Sequence, residues 1–358
     1  MTTTRLALAV IGCGIVARAR YFPALQQLVD LYDVRALCDA DPHALTRAGT
    51  NFPNARRHDS LEDLLGHATD LDCAALLITG DHSDPLEALA RHGIPTLAEK
   101  PIAYTHRAAA SAAAAFSSRG VPLQVGYMKR QYETVHRLSE AIAGGHATSI
   151  AIDLLHPPED GYLQPVIGHG RGFSTDLPTY LDSETARSDI SAHLAALGVP
   201  ADDVATRRAY VLLTTSVIHD INLIHGLAGE PAQVLHAHFW NAGLDGRISF
   251  SWSDQLTGTL TYSYVEAGSY EETIRVVGPR HRWTAHLPSP YLPHAPATLN
   301  THQVGEPTEP VSFADPFQRQ LDEFHAVVSR GTAPTVDGSS AAADHALIDR
   351  IVRRATAS

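Results

Sequence analysis

Three small residues near the start of the chain have the spacing of a phosphate-binding turn. The apolar run 5–11 predicts a buried strand, and Gly12, Gly14 and Ala17 follow it where a helix should begin. Gly12 permits a tight turn, Gly14 lets a pyrophosphate approach the backbone, and Ala17 lets the helix pack close to the strand. The helix N-terminus offers unpaired N–H groups to phosphates. We therefore predict a dinucleotide site whose first contacts come from Gly12, Gly14, Ile15 and Val16.

A carboxylate follows the second predicted strand. This strand, 33–38, ends at Asp39, about two dozen residues beyond the glycines, where an acidic side chain accepts hydrogen bonds from the adenosine ribose. A 2′-phosphate at this position would face Asp39 and Asp41 rather than the arginine that it requires. We therefore expect NAD as the cofactor and consider NADP less favoured.

A pair of opposite charges, Glu99 and Lys100, follows the predicted strand 95–98 and precedes Pro101. Ligands of doubly wound sheets bind outside the carboxyl ends of the strands, near the switch in strand order. A lysine at that place can stabilise an alkoxide that develops while a hydride is transferred at a carbinol carbon. The alternative interpretation is a surface ion pair, which contributes little to stability.

The sequence pattern changes along the chain, and its two parts indicate which elements position these residues. Strand-like and helix-like segments alternate as far as residue 125, which is typical of a parallel, doubly wound sheet. The predicted strands there are 5–11, 33–38, 55–58, 73–78, 95–98 and 121–125. Farther on, apolar residues alternate with a period of two, which predicts a mainly antiparallel sheet. Its predicted strands are 147–155, 234–240, 248–252, 257–265, 272–277 and 282–286.

The predicted fold is therefore α/β, with a Rossmann domain over residues 1–126 and an α+β domain with a large open sheet over 127–358. An irregular stretch, 156–206, with one short helix near 189–197, is expected to cover a site or an interface. The remaining predicted helices are 133–143, a single apolar helix 207–228, and a last pair at 315–329 and 339–355, which could pack back on the first domain.

Composition limits the classes of partner. The formal net charge of −12 argues against nucleic acid and anionic membranes. No apolar run approaches the ~20 residues that a membrane span needs, and the first ten residues lack the pattern of a cleavable signal. The three cysteines, Cys13, Cys38 and Cys73, show no paired spacing, which favours buried, reduced thiols. We expect a cytoplasmic protein.

The histidines do not suggest a metal site. The chain has 21 of them, but His236 and His238 alternate on a strand, and His219 and His225 lie six residues apart. That separation suits ligation neither from a strand nor from a helix, so no metal is expected.

Four segments together resemble the Gfo/Idh/MocA oxidoreductases. They are Gly-Cys-Gly-Ile-Val-Ala at 12–17, Ala-Glu-Lys-Pro at 98–101, Gly-Tyr-Met-Lys-Arg at 126–130 and Ile-His-Asp-Ile-Asn at 218–222. The resemblance covers nearly the whole chain, and 156–206 is its least typical part. It implies a Rossmann domain, a second α/β domain whose open sheet forms oligomer contacts, and nicotinamide-dependent chemistry on sugars, cyclitols or related polyols.

The resemblance also implies roles for individual residues. Lys100 would contact the reacting oxygen, Glu99 would lie near the nicotinamide ribose, and His219 would donate or accept a proton. After the fourth strand, Thr79, Gly80 and His82 are the candidates for further cofactor contacts.

The chain departs from the family pattern at several of these places. Thr215 stands where many polyol dehydrogenases have an aspartate, and Asn222 stands where aspartate is common. Thr79-Gly80-Asp81 replaces the usual Thr-Pro-Asn, and Asp84 replaces a usual histidine. The missing carboxylates put the standard polyol chemistry in doubt but leave the cofactor assignment intact.

The candidate substrate contacts lie in the second domain and at the domain junction. They are Tyr127, Arg130, Tyr162, Thr215, His219 and Asn222, with Tyr180 as a further possibility. For Arg130 a structural ion pair is the alternative, and for His219 a satisfied core histidine.

The function predicted from the sequence is NAD(H)-dependent hydride transfer at a hydroxyl or keto carbon of a sugar, cyclitol or related polyol. Two alternatives stay open: an NAD-dependent glycoside hydrolase of the same fold, and a non-catalytic NAD- or sugar-binding regulator. We expect a homo-oligomer, dimer or tetramer, joined through the C-terminal sheet.

Overall fold

The computed structural model describes residues 4–157, 177–265, 269–292, 295–303, 306–308 and 311–357. Within these residues the chain forms two compact units. The first comprises residues 4–128 and 315–343, and the second comprises the described residues from 129 to 314 together with 344–357.

A parallel sheet of six strands forms the centre of the first unit. The strands are β1 Leu6–Ile11, β2 Tyr32–Cys38, β3 Arg56–His58, β4 Cys73–Leu76, β5 Thr96–Glu99 and β6 Leu123–Gly126. Their order is β3-β2-β1-β4-β5-β6, the doubly wound arrangement in which the chain begins in the middle and fills one side before the other. Every residue of the central strand β1 is buried, as expected where helices cover both faces. The predicted Rossmann topology is confirmed.

Helices connect these strands. A π-helical segment Ala17–Tyr21 continues into α1 Phe22–Gln27, and the others are α2 Pro42–Asn51, α3 Leu61–Gly66, α4 Ser83–Arg91 and α5 His106–Ser117. Side-chain caps fix where several of them begin. The Asp41 carboxylate accepts from the His43 N–H at 2.8 Å, Ser60 Oγ accepts from the Asp63 N–H, and Thr105 Oγ1 accepts from the Ala108 N–H. Each cap satisfies one of the N–H groups that a helix start leaves without a partner.

The second unit contains a mainly antiparallel sheet. Its nine strands among the described residues are β7 Ser149–His156, β8 Gln233–Trp240, β9 Asp245–Ser251, β10 Thr257–Tyr264, β11 Glu271–Val277, β12 His281–Leu287, β13 Ala297–Gln303, β14 Glu306–Thr308 and β15 Val311–Ser312. The order is β14-β13-β12-β11-β7-β10-β9-β8, with β15 beside β13. Only β7 and β10 pair in parallel among these neighbours. The predicted fold class is therefore confirmed, although β13, β14 and β15 were not predicted.

Helices of the second unit are α6 Glu133–Ala143, α7 Leu177–Thr185, α8 Ser188–Ala196, α9 Val204–Thr215 and α10 Ile218–Ala228. The prediction of one continuous helix over 207–228 was wrong, because α9 and α10 are bent by 63° at Ser216 and Val217. The Thr215 hydroxyl donates to the Val211 carbonyl at 2.7 Å, a bond that competes with the helix ladder and is associated with bending. The predicted short helix near 189–197 corresponds to α8, whereas α7 was not predicted.

Two helices end the chain, α11 Pro316–Arg330 and α12 Gly338–Thr356. The Asp315 carboxylate caps α11 by accepting from the Phe317 N–H at 2.8 Å. Phe317, Leu321 and Phe324 of α11 belong to the hydrophobic core of the first unit. The Tyr32 hydroxyl of β2 donates to the Leu321 carbonyl at 2.7 Å, so α11 is fixed to this unit by both apolar packing and hydrogen bonding.

Among the described residues, no single helix has the length and apolar character to cross a membrane. The bent pair α9 and α10 meets those two criteria only when both helices are taken together.

Candidate functional site

The turn after β1 has a backbone that only glycine fits at its first position. Gly12 has a φ of +94°, and a Cβ there would lie 2.6 Å from the backbone nitrogen of Ile78. Its N–H donates to the Cys38 carbonyl at 2.8 Å, which ties β1 to the end of β2. Gly14 is exposed, and nothing lies within 4 Å of where its Cβ would be. Gly12 is thus required by the turn itself, whereas Gly14 leaves open space above the backbone.

The carboxylate of Asp39 is held in place by two backbone amides. Oδ2 accepts from the Cys13 N–H at 2.7 Å, and Oδ1 accepts from the Asp41 N–H at 2.8 Å. Asp39 is half-buried at the end of β2. Because each carboxylate oxygen has a second acceptor site, the side chain keeps the capacity to accept from ligand hydroxyls.

These residues line a groove of about 390 Å³ in the first unit. The groove runs across the carboxyl ends of β1, β2 and β4, where ligands of doubly wound sheets bind. Its lining residues are Ile11, Gly12, Gly14, Cys38, Asp39, Ala40, Asp59, Ser60, Leu61, Leu77, Ile78, Thr79 and Pro85. This lining contains the two carboxylates Asp39 and Asp59 and no lysine or arginine.

The helix that follows the glycine turn begins irregularly. Ile15 and Val16 are half-buried, and the π-helical segment starts at Ala17, which is fully buried. Single π-helical turns inside helices are frequent at functional sites. The first helical turn therefore departs from the regular α-helix that the sequence pattern predicts.

The loop after β4 is fixed by Asp81. Its carboxylate accepts from the Ser83 N–H at 2.8 Å and from the Tyr104 N–H at 3.0 Å. In this loop Thr79 is exposed and Gly80 has a φ of +107°. His82, in contrast, is only 1% exposed.

The buried imidazole of His82 connects two backbone segments of this region. Its Nε2 lies 2.9 Å from the Ile78 carbonyl, and burial lowers its pKa, while contacts with the backbone of Ile78 and Glu99 oppose the shift. This side chain supports the backbone at the ends of β4 and β5.

Glu99 ends β5 inside a buried chain of hydrogen bonds. The Tyr21 hydroxyl donates to Glu99 Oε1 at 2.6 Å, and Gln320 Nε2 donates to the Tyr21 oxygen at 2.8 Å. All three side chains are nearly inaccessible to solvent. Burial raises the pKa of the Glu99 carboxyl, and Lys100 and Tyr21 oppose that shift. Gly126 leaves room for this network, since a Cβ there would lie 3.1 Å from Glu99 Oε1.

Lys100 follows directly and is half-buried. Its N–H donates to Glu99 Oε2 at 3.3 Å, and the Lys100–Pro101 peptide bond is cis. Both oxygens of the Glu99 carboxylate are thus hydrogen-bonded, Oε1 to Tyr21 and Oε2 to the Lys100 backbone. The backbone that carries the lysine is tied to this buried network.

A buried charge cluster lies in the second unit and was missed from the sequence. Lys129 Nζ lies 3.0 Å from Asp220 Oδ1 and 2.8 Å from Glu272 Oε2, and the Tyr270 hydroxyl donates to Glu272. Burial lowers the pKa of Lys129, but the two carboxylates outweigh it and raise the pKa above its ordinary value. Burial, opposed by Lys129, raises the pKa of Asp220 to about 8. The acidic Glu272 at a buried position of β11 was the available signal in the sequence.

His219 lies in the first turn of α10 and is half-buried. Thr215 ends α9 and the chain bends before α10, so Thr215 and His219 do not lie one turn apart on a single helix. The Thr215 hydroxyl donates to the Val211 carbonyl. The next residue, Asp220, directs its carboxylate to Lys129.

Arg130 and Asn222 meet in a second polar cluster of this unit. Arg130 Nη1 lies 3.3 Å from Asn222 Oδ1, and Asn222 Nδ2 donates to Asp344 Oδ2 at 2.8 Å. The other oxygen of Asp344 lies 2.6 Å from His225 Nδ1. Asn222 is 1% exposed and Asp344 is fully buried. Arg130 therefore contributes a hydrogen bond to this cluster, and its role as a substrate contact stays a prediction.

The three tyrosines proposed as substrate contacts have different positions. Tyr127 is 2% exposed in the first unit, and Tyr180 is half-buried in α7. Tyr162 lies outside the described residues.

Comparison with known sequences gives matches that cover less than half of the chain. A family model described as an oxidoreductase family with an NAD-binding Rossmann fold matches residues 6–127. The D-apiose dehydrogenase of Paraburkholderia graminis is 31% identical over 145 residues, which are 40% of this chain and 38% of that protein. The myo-inositol dehydrogenase Hyg17 of Streptomyces leeuwenhoekii is 31% identical over 126 residues, 35% of this chain and 37% of that protein. The chain thus matches about two fifths of the length of these relatives.

Solved structures match over the whole length but at low identity. The WlbA dehydrogenase of Bordetella pertussis, in complex with NADH and UDP-GlcNAcA, has a TM-score of 0.70 and 19% identity, covering 99% of this chain and 97% of that one. The 3-ketoreductase KijD10 of Actinomadura kijaniata, in complex with NADP and TDP-benzene, has a TM-score of 0.73 and 17% identity, covering 98% of each. These likenesses show that both units have the fold of these enzymes.

Proposed function

We propose that the protein is an NAD(H)-dependent dehydrogenase or ketoreductase, on the premise that residues 6–127 match the Gfo/Idh/MocA family model of oxidoreductases with an NAD-binding Rossmann fold. The proposed reaction moves a hydride to or from a hydroxyl or keto carbon of a sugar, cyclitol or related polyol. The named activities of the apiose and inositol dehydrogenases support this substrate class.

The observation that carries the proposal is the groove at Gly12, Gly14 and Asp39. Its floor is a turn that a side chain at Gly12 would block, and its wall carries an anchored carboxylate. Gly12 and Gly14 would hold the pyrophosphate, and Asp39 the adenosine ribose. When bound, nicotinamide adenine dinucleotide supplies or accepts the hydride.

The charges of the same groove favour NAD over NADP. Asp39 and Asp59 are both in its lining, and no basic side chain is among the residues that line it. A 2′-phosphate would bring negative charge toward these carboxylates, and the repulsion weakens NADP binding more the closer the charges lie. NAD carries a hydroxyl at that position, which can donate to Asp39.

Lys100 is proposed to act on the reacting oxygen. As a cation it would stabilise negative charge that develops on that oxygen, and Glu99 beside it fixes the local backbone. The buried chain from Gln320 through Tyr21 to Glu99 keeps this end of β5 rigid. Lys100 is therefore the proposed catalytic residue, and Glu99 and Tyr21 are positioning residues.

His219 is proposed to exchange the proton of the reacting hydroxyl. A histidine suits this task because its ordinary pKa lies near neutral pH. The adjacent Asp220 lies in the cluster with Lys129 and fixes the first turn of α10, which carries the imidazole. His219→Ala should therefore lower turnover while NAD affinity stays within about twofold, since the nucleotide groove belongs to the first unit.

The second sheet is proposed to join copies of the chain as a dimer or tetramer. Along β10, the buried Gly258, Leu260 and Tyr262 alternate with residues that keep solvent contact. Such a half-exposed sheet face can be covered by a second copy. Light scattering during gel filtration checks this proposal, and a monomer at every concentration would contradict it.

Activity on a panel of sugars, inositols and their keto forms tests the proposed function. NADH or NADPH is followed by absorbance with each compound, and NAD and NADP are titrated separately by fluorescence. We expect turnover with at least one polyol or its ketone and tighter binding of NAD. Cleavage of a glycoside without net NADH would instead identify a hydrolase, and dinucleotide binding without any turnover would identify a regulator.

A further inference from the structure

Two histidines and an aspartate converge where β3 leads into α3. His58 is the last residue of β3, Asp63 lies in the first turn of α3, and His67 follows the end of that helix. One ligand atom from each of the three side chains lies within 4.8 Å of the other two. The described residues contain no second group of this kind.

The carboxylate stands between the two imidazoles. Asp63 Oδ2 lies 2.6 Å from His58 Nδ1, and Asp63 Oδ1 lies 3.4 Å from His67 Nδ1. The two rings are 5.8 Å apart between their centroids and are inclined by 33°. Each carboxylate oxygen therefore faces one ring nitrogen.

Helix capping explains only part of this arrangement. Ser60 Oγ caps α3 by accepting from the Asp63 backbone N–H, which leaves the Asp63 carboxylate to the histidines. His67 Nδ1 also lies 2.8 Å from the Asp63 carbonyl, a bond that His92 reproduces after α4, where its Nδ1 lies 2.9 Å from the Ala88 carbonyl. His92 is therefore a structural counterpart of His67 that lacks the cluster.

We propose that His58, Asp63 and His67 bind a divalent transition-metal ion, with Zn²⁺ as the best match to their donor atoms. Zinc takes imidazole nitrogen and carboxylate oxygen at about 2.0–2.2 Å in a tetrahedron, whose edges are about 3.3–3.5 Å. The Asp63–His67 separation already has this length, and the Asp63–His58 hydrogen bond opens when the ion replaces its proton. Water completes the fourth position.

Exposure allows the ion to enter without unfolding the unit. The side chains of His67 and Asp63 are 65% and 44% exposed, whereas His58 is 6% exposed and supplies a fixed nitrogen. The ion needs neutral imidazoles, so protons and the ion compete for the ring nitrogens.

The proposed metal site borders the groove of the first unit. Asp59, Ser60 and Leu61, which connect His58 to Asp63, are all in the groove lining. An ion that joins the strand end to the helix holds this connection at both ends. The metal site itself rests on the three ligands and does not depend on the proposed reaction.

Calorimetric titration of the chelator-treated full chain with ZnCl₂ tests the proposal, with His67→Ala and Asp63→Asn as variants and His92→Ala as the matched control. All three changes lie at exposed or half-exposed positions, so folding is preserved and is checked by thermal melting. We expect one Zn²⁺ per chain, a raised melting temperature with zinc, and at least about tenfold weaker binding in both cluster variants. His92→Ala should bind like the unmodified chain.

Two results would overturn the proposal. One is zinc binding that His67→Ala and Asp63→Asn leave unchanged, which would place the ion elsewhere. The other is the absence of zinc binding to the unmodified chain at neutral pH. As a spectroscopic check, Co²⁺ in place of zinc should give the visible absorption of a tetrahedral nitrogen–oxygen site only when His67 and Asp63 are both present.

Discussion

The two lysines of this chain, Lys100 and Lys129, differ in their burial and in the groups that surround them. All other basic side chains apart from histidine are arginine. Lys100 is half-buried at the end of β5 in the first unit, whereas Lys129 is 4% exposed in the second unit between two carboxylates. Lysine is the side chain whose pKa responds readily to burial, and arginine is not. The buried ion pairs of Lys129 assign it to holding the fold, whereas the half-buried position of Lys100 agrees with its proposed role in the reaction.

Each surrounding network supports this distinction. Around Lys100 the buried groups Glu99, Tyr21 and Gln320 bond mainly to one another and fix the backbone that bears the lysine. Around Lys129 the buried groups Asp220 and Glu272 bond to the ammonium itself. Removing the charge should therefore have opposite consequences in the two units.

The largest effect on stability is expected for Lys129→Met. This change leaves Glu272 and Asp220 buried without the ammonium group that contacts both of them, which costs about 3–5 kcal/mol of unfolding free energy. Urea denaturation followed by circular dichroism measures the loss. The triple variant with Asp220→Asn and Glu272→Gln replaces all three titratable side chains by neutral ones and should recover most of the loss. Equal loss in the single and triple variants would contradict the assignment of Lys129 to this cluster.

A smaller effect, on NAD affinity, is expected when Asp39 of the first unit is replaced. Asp39→Ala removes the proposed acceptor for the ribose hydroxyls, and loss of a hydrogen bond to a charged group costs about 1.5–3 kcal/mol, or roughly 10- to 150-fold in NAD affinity. Fluorescence titration measures the change, with NADP as the comparison ligand. Tighter binding of NADP than of NAD by the unmodified protein would overturn the assignment of Asp39.

The second unit should also show a pH dependence of its stability. Burial, with Lys129 opposing, raises the pKa of Asp220 to about 8 in the folded chain, whereas the unfolded value is about 3.9. The folded state therefore holds a proton that the unfolded state releases, and this contribution to stability is present at low pH and is lost as the pH rises from about 4 to 8.

Asp220→Asn cannot titrate, so it isolates this contribution. Denaturation midpoints of the variant and the unmodified chain are compared at several pH values between about 5 and 8. The stability of the variant relative to the unmodified chain should increase with pH. A constant difference across this range would mean that Asp220 is ionised throughout.

The sequence predicted features that depend on neighbours along the chain. Gly12 and Asp39 were found because a strand, a tight turn and a helix follow one another within one local unit, and the six strand positions follow from the same alternation. Lys100 was found from its position after the strand 95–98 and His219 from the resemblance, and the roles of both stay predictions.

Features built from distant segments were not predicted. Lys129 and Asp220 are 91 residues apart, and Glu272 comes from another strand, so spacing gave no sign of their cluster. The bend after Thr215 was missed because apolar residues continue through it while a hydroxyl–carbonyl bond disrupts the helix. The group His58, Asp63 and His67 combines the end of a strand with a helix. Neither the repeat of a helix nor the alternation of a strand brings all three residues together.

Lys100→Met tests the central claim most directly, because methionine keeps much of the side chain's length and removes its charge. Turnover of the best polyol at saturating NAD is measured beside the melting temperature and the NAD affinity of the same preparation. We expect turnover to fall by about 10²–10⁴, with melting temperature and NAD affinity nearly unchanged. Near-normal turnover, or a loss of stability as large as that of Lys129→Met, would contradict the separation of roles between the two lysines.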